Sequence, residues 1–277
     1  MSLRRSDKRR VYFEGGLGNQ ILALLEYKAR MRNFENVIPD CTYFTKPTDF
    51  ILPNGLSRWK WELDVYGHFI HDLQGSKTNL IKRKIFYKRE STEDRIKYYA
   101  NHEWLTGDEL ARLFPITTEV NRILSRSGIL SEGAYWVLHQ RRGDYCKIGA
   151  KTIPFSDTKR LISSISSALP KSGFFLTDEK LSDSESLDIK AFYQTQGLEV
   201  TLIDESFNLN NIELHDLMRS ADFLIASNST FSYTAGILAK KSQTTIFPSD
   251  FYGGKITSNL STIYNTTGQY VIQLPSA

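Results

Sequence analysis

The sequence is short of cysteine, histidine and long apolar runs, and each shortage removes a class of protein. Two cysteines, Cys41 and Cys146, occur in 277 residues. Two thiols so far apart give neither a disulfide framework nor metal-ligand spacing, so free thiols in a reducing compartment are expected. The five histidines are scattered. No HExxH or DxD motif is present, and the nearest imitation, Asp183-Ser184-Glu185, reads as the first turn of a helix. No metal and no other cofactor is therefore expected. The absence of a Gly-x-Ser-x-Gly run argues against an α/β-hydrolase. No apolar run is long enough to span a bilayer and no signal peptide is recognisable, so a cytoplasmic protein is expected.

What is present is ordinary globular material. Hydrophobic residues make up 40% and charged residues 24%, so a packed core is expected. Charge is unevenly shared. Residues 1–130 carry 22 Lys and Arg against 16 Asp and Glu; residues 131–277 carry 13 against 15. The basic first half allows contact with an anionic acceptor or the inner face of a membrane, or is simply a solvated face. No nucleic-acid-binding motif accompanies it, so nucleic acid is not an expected partner.

The second half has a regular rhythm. "YWVLHQ" from Tyr135, "GFFLTD" from Gly173, "LEVTLID", "DFLIAS" and a final "QTTIFPS" read as strands. Between them lie helical stretches from Ser156, Ser184, Asn211 and Thr230. Ser156 or Asp157 is the expected cap of the first, and Gly197 the expected stop of the second. Short apolar strands alternating with helices predict a parallel sheet covered on both faces. The first half opens likewise, as strand, glycine turn and helix in "VYFEGGLGNQILALLEYKARMRNF"; helical stretches are expected from Glu90. The Gly/Ser/Glu-rich 127–134 suggests a boundary. The expected architecture is α/β: two Rossmann-like doubly wound domains facing a cleft, residues 1–132 on the acceptor side and 133–277 binding the nucleotide.

A doubly wound sheet binds ligand outside the carboxyl ends of its strands, and the unusual residues fall there. His139, Arg141, Arg142 and Asp144 follow the first strand of the second half. An arginine fork matches phosphate and stays charged at working pH; the structural alternative is a salt bridge such as Arg142 with Asp144. Asp178 ends the next strand and suits a guanine edge, a ribose or a helix cap. Asn228, Ser229, Thr230 and Phe231 follow "DFLIAS", where hydroxyls and free helix N–H groups make either an anion site or an ordinary N-cap. In the first half, "GGLGNQ" (Gly15–Gln20) permits close backbone approach at Gly16 and Gly18. It is neither a dinucleotide fingerprint, since Ile21 stands where a third glycine belongs, nor a Walker A loop. The amides of Asn19 and Gln20 suit sugar hydroxyls or phosphate. Trp59, Trp61 and Tyr66 suit either sugar stacking or core packing.

"GGLGNQ", "H-x-RRGDY" and "DLM-x-SADFLIASNSTFSY", in that order, resemble the three signature regions of the α-1,2-fucosyltransferases. The resemblance implies a GT-B-like fold and an inverting, metal-independent transfer from GDP-fucose to an oligosaccharide or glycolipid. It implies that Arg141 meets the donor diphosphate, with Arg142 and Asp144 beside it and His139 near the nucleotide. Asp178 corresponds to an acidic guanine contact. Ser229, Thr230 and Phe231 match the stretch that holds the diphosphate, and Gly16, Gly18 and Asn19 the first-domain turn. Asp144 is the first candidate base. The chain departs from the family pattern at "ILALLEY" after the first motif and at Tyr233–Thr234 in the last. Those positions bear on acceptor and linkage. The alternatives are the same fold with another nucleotide-sugar or linkage, or a nucleotide- or glycan-binding protein without catalysis.

Overall fold

A computed structural model describes residues 9–33, 37–45, 59–74, 107–128, 133–143, 152–240, 242–248 and 271–273. Asp144, Cys146 and residues 90–106 of the helical stretches expected from Glu90 to Phe114 lie outside the described residues. The chain divides into two units, Met1–Pro115 and Ile116–Ala277.

In the first unit, β1 (Arg9–Tyr12) leads through the glycine turn to α1 (Leu17–Arg32), and β2 (Val37–Asp40) returns parallel to β1. Leu, Ala, Glu, Lys and Arg dominate α1, all residues of high helix propensity. Arg30 and Arg32 in its last turn complement the helix dipole. Among the described residues, two short helices follow, α2 (Ile70–Gln74) and α3 (Gly107–Leu113). Cys41 is buried, and burial together with the Asp40 charge pushes its thiol up to about 12, so it stays protonated.

The second unit carries α4 (Val120–Arg126), β3 (Tyr135–Gln140), α5 (Phe155–Ile165), β4 (Ser172–Thr177), α6 (Asp183–Thr195) and β5 (Glu199–Ile203). It continues with α7 (Asn211–Ser220), β6 (Phe223–Ile225), α8 (Thr230–Ile237), β7 (Thr244–Phe247) and β8 (Val271–Gln273). The six strands are parallel, in the order β5-β4-β3-β6-β7-β8. This is the doubly wound, Rossmann-like order. Every residue of β3 is buried, as a central parallel strand requires. Tyr135 and Val137 join Phe174, Leu217 and Leu224 on one face, with α4, α7 and α8. Trp136 and Leu138 join Phe175, Ile162 and Tyr193 on the other, with α5 and α6.

Three sequence expectations change. The division precedes residue 127, because α4 belongs to the second unit. Ile123 and Leu124 of α4 enter its core, and Asp216 of α7 accepts the backbone N–H groups of Thr117 and Thr118 at 3.0 Å each. The glycine at 128 is the left-handed residue (φ 73°) that stops α4. Helix α5 starts at Phe155 behind Pro154, so neither Ser156 nor Asp157 caps it. The "QTTIFPS" strand is not the last, since β8 pairs beyond it. As expected, α6 stops at Gly197, also left-handed.

Candidate functional site

Strand order fixes where a ligand crevice forms. From β3 the chain winds outward through β4 and β5, then returns to the far side of β3 as β6. The switch point therefore lies between β3 and β6, whose following helices, α5 and α8, pack on opposite faces of the sheet. One hydrogen bond spans them: Ser227 Oγ, just after β6, lies 2.8 Å from His139 Nδ1 on β3.

Alternation along β3 assigns its last residues. His139 continues the Tyr135–Val137 side, where its ring meets Phe231 edge-on at 5.7 Å. Gln140 continues the other side, donating to the Ile153 carbonyl and accepting from the Thr158 hydroxyl. Burial, reinforced by the Arg141 charge, pushes the His139 pKa down to about 3, so its imidazole is neutral at pH 7. Arg141 and Arg142 then diverge. Nη1 of Arg141 lies 3.1 Å from Oδ2 of Asp178. Arg142 turns to Glu179 (3.1 Å) and Glu185 (3.0 Å) instead. Its backbone N–H donates to Asp178 Oδ1 at 2.8 Å. Asp178 therefore does not cap α6. Ser182 does, in a reciprocal capping box with Glu185. The N–H and hydroxyl of Ser182, and then Arg142, hold the exposed Glu185 carboxyl down at about 2.

The β6 end is built around the start of α8. Ser229 is its N-cap, with Oγ accepting from the Phe231 N–H at 3.3 Å. Ser229 and Thr230 are buried, and Phe231 and Asn228 are half-buried. The capping alternative is thus realised, and the first turn still presents the positive end of a helix dipole at the switch point. Phe231 also packs on His215 of α7 at 5.4 Å. His215 is fully buried, with Nε2 3.1 Å from the Thr234 hydroxyl, and burial followed by the Arg219 charge drives its pKa well below the usual histidine range.

In the first unit the glycine turn is shaped by sterics. Gly15 has φ 73°, and a Cβ there would lie 2.6 Å from Asn19 Nδ2. Gly16 is the N-cap of α1 and faces the Trp59 ring; Gly18 is buried. Gln20 is consumed structurally: its amide donates to the carbonyls of Gly15 and Lys60 and accepts from the Glu62 N–H. It is therefore a staple, not a sugar contact. Asn19 differs, since its Oδ1 is buried without a hydrogen-bond partner among the described residues. Trp61 packs against Phe13 and Phe44 and donates its indole N–H to the His68 carbonyl, while Tyr66 packs on Phe114. Both serve the core.

The second unit thus brings His139, Arg141, Arg142, Asp178, Asn228, Ser229, Thr230 and Phe231 to one edge of one sheet. Gly16, Gly18 and Asn19 form a separate turn in the first unit. Sequence reasoning missed Ser227, His215, Glu179 and Glu185. Of these, Glu185 carried a readable signal as the fourth residue of a Ser-x-x-Glu capping box. No protein-family model matches the chain, and no curated protein matches it in sequence. Among the described residues, no group of three His, Cys, Asp or Glu is placed to hold a metal ion. No helix among them is long and apolar enough to cross a membrane.

Proposed function

We propose that the protein is an inverting, metal-independent fucosyltransferase with a GT-B-like pair of domains. It moves fucose from GDP-fucose to a glycan hydroxyl, in α-1,2 linkage to galactose of a cell-surface polysaccharide, from the cytoplasmic side of the membrane. The observation that carries the reading is that Arg141 follows β3 and the start of α8 follows β6, neighbouring strands of the sheet whose ends are joined by the His139–Ser227 hydrogen bond.

Sugar transfer builds negative charge on the departing β-phosphate while the sugar becomes oxocarbenium-like. Fixed cations and N–H dipoles at that phosphate stabilise the transition state. Arg141 supplies the cation and the first turn of α8 the dipole. Neutral His139 adds no charge of its own and orients Ser227 and Phe231. Asn19, on the glycine turn of the first unit, is assigned to position sugar or acceptor. Asp144 is assigned as base toward the acceptor hydroxyl.

The test is release of sugar from a panel of nucleotide-sugars, with and without EDTA. GDP-fucose should turn over fastest, at a rate EDTA leaves unchanged. Faster turnover of another donor, or strong inhibition by EDTA, contradicts the proposal.

A further inference from the structure

We infer that Asp178 is a positioning residue for Arg141 and not a contact to the nucleotide base; the inference rests on the reaction proposed above. Three features converge on its carboxylate. Oδ2 lies 3.1 Å from Nη1 of Arg141. Oδ1 accepts the backbone N–H of Arg142 at 2.8 Å. A Cβ on Gly143 would lie 2.5 Å from Oδ2 and 3.1 Å from the Asp178 carbonyl oxygen, so a side chain there would displace the carboxylate. The carboxylate thus fills the inner curve of residues 141–143. It fixes the guanidinium by charge and the backbone by hydrogen bonding.

A guanidinium carries its five N–H donors in one rigid plane, so a carboxylate on Nη1 sets how that plane faces the crevice. The neighbouring acids complete the sorting. Glu179 and Glu185 draw Arg142 the other way, toward the start of α6. Two adjacent arginines of identical chemistry are thereby given different tasks: Arg142 braces the β3 end against α6, and Arg141 is aimed by Asp178. Gly143 has a matching reason to be glycine.

A residue that aims a transition-state donor affects turnover more than ground-state binding, whereas a guanine contact affects base selectivity. Asp178→Asn keeps the shape and the acceptor for Arg142 N–H but removes the charge. Its kcat for GDP-fucose should fall on the order of 10–100-fold, with KM changed less than about threefold. Its preference for GDP over inosine diphosphate, which lacks the 2-amino group, should match that of wild type. Loss of that preference with kcat preserved overturns the inference. Gly143→Ala is the second variant, in case Asp178→Asn does not fold. It leaves the carboxylate in the chain but crowds it, and should lower kcat likewise; a wild-type rate overturns the inference. If wild type turns over no GDP-fucose, the proposed reaction falls, and the inference is then decided by a crystal structure of Asp178→Asn. Arg141 should have left its wild-type position, and an unmoved Arg141 overturns the inference.

Discussion

His139 and His215 flank Phe231, and both are kept neutral by burial, reinforced by an arginine in each case. An exposed histidine titrates near pH ~6.5. In the folded protein these two bind a proton only at much lower pH, so as pH falls the unfolded chain takes it up first. Their contribution to stability is complete above about pH 6.5 and drains as pH falls, toward about 3 for His139. Each unmatched proton costs about 1.4 kcal/mol per pH unit. Urea unfolding between pH 6 and 4.5 should therefore show stability falling with pH, and His215→Gln should make the fall shallower. Equal stability at both ends of that range would contradict the assignment. At this scale the sequence was legible where rank along a strand sufficed: His139, Arg141 and Asp178 stand at strand ends. The pairings of Ser227 with His139 and of Glu179 and Glu185 with Arg142 reach across up to 88 residues, and no local pattern marks such pairs, although the capping box of Glu185 was legible.

Helix α7 shows how one element can decide a domain boundary. Asp216 is fully buried, paired with Arg219 at 3.1 Å, and accepts from the N–H groups of Thr117 and Thr118. Arg219 Nε in turn donates to the Leu238 carbonyl after α8. The segment leading into α4 is thus bound to the helix behind the sheet, which is why it belongs to the second unit. Removing one member of a buried ion pair costs about 3–5 kcal/mol. Asp216→Ala should lower unfolding stability by that amount in urea titration, and a loss under about 1 kcal/mol would contradict this role. The composition of residues 127–134 was read as a boundary, whereas Gly128 there ends α4. It could not signal a boundary, because turn residues end a helix inside a domain as readily as between domains. Helices α6, α7 and α8 were legible because caps and apolar periodicity agree. Strand β8 was not, being only three residues long.

For the whole molecule, the alternation of apolar strands and helices fixed the class of the second unit. Strand order could not be read from it, yet order is what makes the site, since it sets the β3 and β6 ends on either side of the switch point. In the first unit the strand–turn–helix of the glycine motif was legible, and the role of Gln20 was not, since its partners lie 40 and 42 residues away. The central claim is that Arg141 holds a diphosphate leaving group at that switch point. The most direct test is the steady-state rate of Arg141→Ala against wild type with GDP-fucose. The variant should fold normally and lose about 100–1000-fold in kcat. A folded variant with an unchanged rate would contradict the account.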